Sequence, residues 1–372
     1  MALGIDASRS VKTIQKTGVE LVSDELLKTI SNQQPAISNL EIIYYTPSKI
    51  DWLPAENQRI LRWPFKFLWT QIRLAWELIF HPPEKMFFPV HAMPFLLIAS
   101  YQLGVTNYFR IIHDIAFKKQ PELYSFRQRM ILNLDLSLAK KLCAKIFVPT
   151  QAVKDDLLKY TKTNPEKIII TPWGYTSINN KQQTVNNRKK QILYIGRVEA
   201  KKNIEILIKG FQLFSQEHPD YQLILAGKID EQFKKNHNSL FPSLGKRSGA
   251  GTIHNSIELL GFVSEDKKQQ LLGESAALVL VSKEEGFGFT LLEAFDFGLP
   301  VVASDISVLH EVGGDACEYV NPNSPEAIAS GVEKIITDKN LSSKLITAGH
   351  ERLKFFNWSK TTEQILGEMT GE

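Results

Sequence analysis

AALVLVSKEEGFGFTLLEAFDFGLPVVASD, residues Ala276–Asp305, holds one complete unit of a parallel sheet. The apolar run Ala276–Val281 has the length of a buried strand. It gives way to a polar turn with Glu284, Glu285, Gly286 and Gly288. A mostly apolar stretch from about Phe289 to Phe297 has helical length and is stopped by Gly298 and Pro300. Val301–Ser304 then reads as a second buried strand. Strand, turn, helix, strand implies a parallel sheet covered on both faces. Glycines ahead of a helix N-terminus let the backbone approach a ligand, and the first-turn N–H groups favour an anion such as a phosphate. Glu293 sits among Leu291, Leu292, Ala294 and Phe295, where a carboxylate needs donors, and sugar hydroxyls would supply them. The plainer reading is an ordinary sheet unit with one satisfied buried glutamate.

The whole chain has 372 residues, enough for two domains that each bury a core. Its 43% hydrophobic and 23% charged content is that of a soluble globular protein. Cys143 and Cys317 stand far apart with no bridge or metal pattern, as expected in a reduced compartment. The opening MALGIDASRS shows no charged leader with an apolar run, and no stretch has the roughly 18 apolar residues of a spanning helix. A cytoplasmic location is the expectation. Charge is uneven: residues 1–180 carry 22 Lys and Arg against 15 Asp and Glu, whereas residues 181–372 carry 22 against 25. The basic first half suits an anionic acceptor or a membrane surface, and a scatter of solvated lysines explains it equally well.

Strands and helices alternate through both halves. Leu3–Asp6 reads as a strand, a polar loop follows through Lys16, Thr17 and Gly18, and Val19–Ile30 has helical periodicity. Leu61–Phe80 interleaves aromatics with Arg62, Lys66 and Arg73. It could lie in lipid headgroups, but apolar positions nearly all round favour a core helix ended by His81-Pro82-Pro83. No nucleic-acid-binding motif accompanies it. Phe109–Ile112 is a strand with His113-Asp114 at its carboxyl end, where open α/β sheets bind ligands. A long helix (Tyr124–Cys143), a strand (Lys145–Val148), a helix capped by Thr150 and a last strand (Ile168–Thr171) complete this half. Ser177–Lys190 is polar and aperiodic, as a linker would be. Beyond it, strand Ile192–Ile195 runs into Gly196-Arg197 and then Lys201-Lys202-Asn203. Asn203 is expected to cap the next helix. Cations at the carboxyl end of a strand suit a diphosphate. Tyr221–Ala226 ends at Gly227-Lys228, and Ile257–Leu260 ends at Gly261-Phe262-Val263.

The motif Glu285-Gly-Phe-Gly-Phe-Thr-Leu-Leu-Glu293-Ala-Phe, followed by Gly298-Leu-Pro-Val-Val-Ala-Ser304, resembles the donor-site signature of retaining GT-B glycosyltransferases of family four. Those enzymes include the sucrose-synthase and mannosyltransferase group. Similarity to their mannosyltransferase-like branch extends over nearly the whole chain, and Phe289-Thr290 replaces a more usual Leu-Pro. The resemblance implies two Rossmann-like, doubly wound α/β domains facing a cleft: an acceptor-side domain at 1–176, a linker at 177–190 and a donor domain at 191–356. A terminal helix at 357–372 would return to the first domain.

It further implies that Glu285 holds the transferred sugar, Glu293 the ribose, and Arg197 with Lys202 the leaving diphosphate. Gly286, Phe287, Gly288, Phe289 and Thr290 would line the donor, with Gly18 beside its phosphates and Gly227 at the same strand edge. Phe262 and Val263 would meet the base, and His113 would face the sugar. The expected partners are a sugar nucleotide, with GDP-mannose favoured, and a glycan or lipid-linked acceptor. No metal, cofactor or nucleic acid is expected, and peripheral contact with the inner face of a membrane is a second option for location. A nucleotide-sugar epimerase and a catalytically silent sugar-nucleotide-binding subunit are alternatives. A nicotinamide dehydrogenase ranks last, because no G-x-G-x-x-G follows the first strand.

Overall fold

The computed structural model describes residues 2–11, 18–33, 40–65, 68–90, 93–97, 106–179, 188–236 and 256–371. The chain folds as two compact units: Met1–Gly174 with Asn357–Glu372, and Tyr175–Phe356. Lys16, Thr17 and Lys66 lie outside the described residues.

The first unit is built on a seven-stranded sheet. Its strands are β1 (Ala2–Asp6), β2 (Glu41–Thr46), β3 (Gln58–Ile60), β4 (Lys85–Phe88), β5 (Asn107–Ile111), β6 (Cys143–Val148) and β7 (Ile168–Ile170). They pair in the order β3-β2-β1-β4-β5-β6-β7, with every pairing parallel. Apolar runs such as Cys-Ala-Lys-Ile-Phe-Val suit strands covered on both faces. Helix α1 (Gly18–Gln33) buries Val22, Leu26, Leu27 and Ile30, the stripe its periodicity predicts.

Between β3 and β4 the structure departs from the expected single core helix. Residues 61–65 are not helical, and Trp69–Leu74 forms a π-helical turn that runs into α2 (Ala75–Phe80). Trp69, Leu74, Ala75 and Leu78 are buried, but Ile72, Trp76 and Phe80, four residues apart, face outward. Helix α3 (Phe126–Leu142) starts at a capping box between Ser125 and Gln128. It too keeps an exposed apolar stripe of Phe126, Met130, Ile131 and Leu134. Segment 93–97 ties these helices together. Gln71 binds Met93 O and Phe95 N at 3.1 and 3.0 Å, and Asp135 accepts from Met93 N at 3.2 Å.

Helix α4 (Gln151–Thr161) is capped by Thr150, whose hydroxyl accepts from Val153 N, as expected.

The second unit has six parallel strands: β8 (Gln191–Ile195), β9 (Gln222–Ala226), β10 (Ile257–Gly261), β11 (Ala277–Leu280), β12 (Val301–Ser304) and β13 (Cys317–Val320). Their order is β10-β9-β8-β11-β12-β13. Its helices include α5 (Ile204–Glu217), α6 (Glu265–Glu274), α7 (Phe289–Asp296), α8 (Pro325–Thr337) and α9 (Lys339–Leu353). The described ends of the expected linker are bound to this unit. Ser177 Oγ, Ile178 N and Asn179 N all donate to the Asp296 carboxylate, as does Tyr175 Oη. Arg188 donates to four backbone carbonyls, those of Leu272, Ser275, Phe297 and Gly298.

Helix α10 (Trp358–Thr370) belongs to the first unit, where Thr361 donates to Pro172 O and Gln364 to Ile170 O.

Candidate functional site

In the second sheet the strand order reverses between β8 and β11, and a doubly wound sheet opens its ligand crevice at such a switch point, at the carboxyl ends of the strands. Arg197 and Lys202 follow β8, and the turn with Glu285 follows β11. Main-chain bonds bring these ends together. Gly196 N donates to Ala226 O, Gly227 N to Gly261 O at 2.7 Å, and Lys283 N to Lys201 O at 3.0 Å. Gly227 has a structural reason to be glycine: at φ +151°, a Cβ there would stand 1.8 Å from Gly196 O.

Asn203 locks the same edge in an unexpected way. It adopts a left-handed conformation, φ 59°, and makes no side-chain cap on α5. Its amide instead donates to Val281 O and Pro322 O, bracing the end of β11 and the segment after β13.

Lys202 Nζ lies 2.6 Å from Glu285 Oε1, and Ser282 Oγ donates to the same oxygen at 2.7 Å. Burial works to raise the Glu285 carboxyl. The charges of Lys202 and Lys201, with the bonds from Lys202 and Ser282, outweigh it and hold Glu285 below the usual carboxylate range. Arg197 is more open, half exposed and 3.5 Å from Glu199, and its carbonyl accepts from Tyr194 Oη. These cations stand on the same strand edge as α7, whose N-terminus follows Gly288 at φ 97° and has no side-chain cap. A positive field at a helix N-terminus suits a diphosphate.

Glu293, in the second turn of α7, is also nearly buried. Lys268 of α6 reaches it at 2.7 Å. Burial pushes this carboxyl above its ordinary value, Lys268 offsets the rise only in part, and Glu265 and Asp296 add to it. The two glutamates are thus set in opposite directions by their surroundings. Phe287, expected to line the donor, is buried with its ring against Phe289 and Phe356, at 4.9 and 5.5 Å. Gly286, Phe289 and Thr290 are half-buried in the turn and first turn of α7, and Phe262 is exposed beside half-buried Val263 after β10.

His113 and Gly18 belong to the first unit. His113 is buried, its Nε2 3.3 Å from Pro89 O and its ring 5.6 Å from Trp173. Asp114 accepts from Ala116 N and so shapes the backbone. Gly18 is the exposed first residue of α1. Lys268, Ser282 and the bracing role of Asn203 have no counterpart in the sequence reading. A lysine three residues after Glu265 on a helix face was the one available hint for Lys268. Among the described residues no cluster of three His, Cys, Asp or Glu side chains forms a metal site, and no helix is long and apolar enough to cross a membrane.

Residues 176–352 match the family described as glycosyl transferases group 1. The chain is 33% identical over 175 residues to O-antigen chain mannosyltransferase B of Escherichia coli, covering 47% of this chain and 44% of that protein. It is 28% identical over 226 residues to an O-antigen chain mannosyltransferase of Salmonella typhimurium, covering 60% and 59%. The chain thus spans about half the length of the relatives it matches. Among solved structures, WaaG, a glycosyltransferase involved in lipopolysaccharide biosynthesis, superposes over 100% of both chains with a TM-score of 0.72 at 16% identity. Anabaena HepE, solved in complex with UDP, does so with a TM-score of 0.71 at 16% identity. The fold is GT-B, and residues 176–352 are similar to the glycosyl transferases group 1 family.

Proposed function

We propose that the protein is a retaining hexosyltransferase that moves a sugar from a nucleoside diphosphate to a glycan or lipid-linked acceptor. The observation that carries this reading is the Lys202–Glu285 pair at the switch point, beside Arg197 and the uncapped end of α7. In this reading Lys202, Arg197 and the turn amides stabilise the charge that develops on the departing diphosphate. Glu285 accepts hydroxyls of the moving sugar, and Glu293 accepts those of the ribose. His113 is the residue of the first unit assigned to the transferred sugar. The positive field comes from side chains and helix terminus, so transfer proceeds without a divalent ion. GDP-mannose is the favoured donor, supported by the mannosyltransferases among the sequence relatives.

A lipid-linked acceptor is supported by the outer face of the first unit. Trp76 and Phe80 meet there in a tilted ring pair at 4.5 Å, and α3 of the same unit carries its own exposed apolar stripe with exposed Arg127. Exposed aromatics with nearby cations suit an anionic lipid interface.

The test is transfer from GDP-mannose and from UDP-hexoses to lipid-linked glycan acceptors, with and without chelator, reading the product anomer. Retained anomeric configuration and full activity in chelator are expected. Absence of transfer from every donor, or an inverted product, would sink the reading.

A further inference from the structure

We propose that Lys268 is a positioning residue for the nucleotide, holding the Glu293 carboxylate in place for the ribose hydroxyls. The inference rests on the donor site proposed above. Lys268 projects from α6, the helix that follows β10 and the exposed Phe262. Its Nζ is shared between Glu293 Oε1 at 2.7 Å and Glu265 Oε1 at 2.8 Å. The Lys268 and Glu293 side chains are 18% and 12% exposed, so the pair is mostly shut off from water while Glu265, at 58%, is open. An ion pair in that setting fixes the carboxylate rotamer and leaves Glu293 Oε2 for another donor.

Glu293 needs that support. The groups facing it are Lys268 and Glu265 from α6, Asp296 from its own helix and Tyr175 from the connecting peptide. On the other side α9 meets α7 through Gly349 against Phe295. Lys268 is the one cation among these groups. Two carboxylates and burial favour the protonated acid, which is a weaker acceptor than the carboxylate. Lysine therefore acts through Glu293, favouring its ionised form and keeping it aimed at the ligand.

The experiment is calorimetric titration of the full chain with GDP and with UDP over a series of pH values, since a raised carboxyl makes affinity depend on pH. Wild type, Lys268→Arg and Lys268→Met are compared, each with Glu293 and with Glu293→Gln. Lys268→Met should weaken binding roughly 10-fold or more near neutrality. The pH below which affinity falls should move upward, because Glu293 then stays protonated to higher pH. Lys268→Arg should restore most of the affinity, and in the Glu293→Gln background Lys268→Met should add no further loss. Should the Met variant melt early, Lys268→Gln carries the same test. Unchanged affinity and pH profile, or an equal loss in both Glu293 backgrounds, would overturn the inference while wild-type binding leaves the donor site standing. Failure of the wild type to bind either nucleotide would overturn both.

Discussion

Lys202 Nζ and Glu285 Oε1 are 2.6 Å apart, so the cation assigned to the diphosphate and the carboxylate assigned to the sugar are each other's partners. Their side chains are 18% and 11% exposed. Truncating one partner of a fully buried pair costs about 3–5 kcal/mol, and partial exposure here lowers that to about 2. Lys202→Met should therefore reduce unfolding free energy by about 2 kcal/mol in urea titration. It should also reduce donor kcat/KM. An unchanged midpoint would show that the pair is slack.

The opposite settings of the two glutamates should appear in stability against pH. Glu285 is held below its ordinary value, so its contribution is complete above about pH 4.5 and is lost as pH falls through its folded value. The stability gap between wild type and Glu285→Gln should close on acidification. Glu293 is pushed up, so its ionised form costs the fold. That cost is absent below about pH 4.5 and grows as pH rises to the folded value, so wild type should lose ground to Glu293→Gln over that window. Urea titrations from about pH 3 to 8 check both signs.

Kinetics should separate the same two residues by role. Each is proposed to accept charged hydrogen bonds worth roughly 1.5–3 kcal/mol, so each Gln variant should lose about 10- to 150-fold in donor kcat/KM. Glu293→Gln should act mainly on donor KM, and Glu285→Gln mainly on kcat, because only the sugar changes charge in the transition state. Nucleoside-diphosphate affinity should fall in the first variant and hold in the second. The reverse pattern would exchange the assignments.

The outward aromatics of the first unit give a fourth expectation. Trp76 is 60% exposed, and its transfer to lipid is worth roughly 1.5–3 kcal/mol. Trp76→Ser should weaken association with anionic vesicles about 10-fold or more, while melting unchanged. Raised salt should weaken the wild type too. Equal recovery of both proteins on neutral and anionic vesicles would remove the lipid interface.

Much of the second unit is readable in its residues. Val301–Ser304 is a strand as the apolar run predicts, and α7 starts at Phe289 because Gly288 supplies the left-handed turn before it. Leu61–Phe80 is harder. Counting apolar residues cannot say which of them face outward, and the π-helical turn at Trp69–Leu74 shifts the phase of the stripe. Asn203 looks like a helix cap, but its left-handed backbone takes the amide away from the first turn and toward two strand ends. Lys268 looks like any surface lysine. Its partner lies 25 residues along the chain and is met only because α6 packs beside α7.

Tyr175 N donates to Phe356 O at 3.3 Å, so the second unit begins and ends at neighbouring residues. In chain terms it is a cassette, interrupting a first unit whose own sequence resumes at Asn357. Domains whose termini meet tolerate excision and permutation, because no backbone must be stretched to release them. Arg197, Lys202, Lys268, Glu285 and Glu293 all lie inside that cassette. Residues 175–356 alone therefore carry every group assigned to the nucleotide except Gly18, and an isolated fragment becomes a natural vehicle for grafting donor preference from one relative to another.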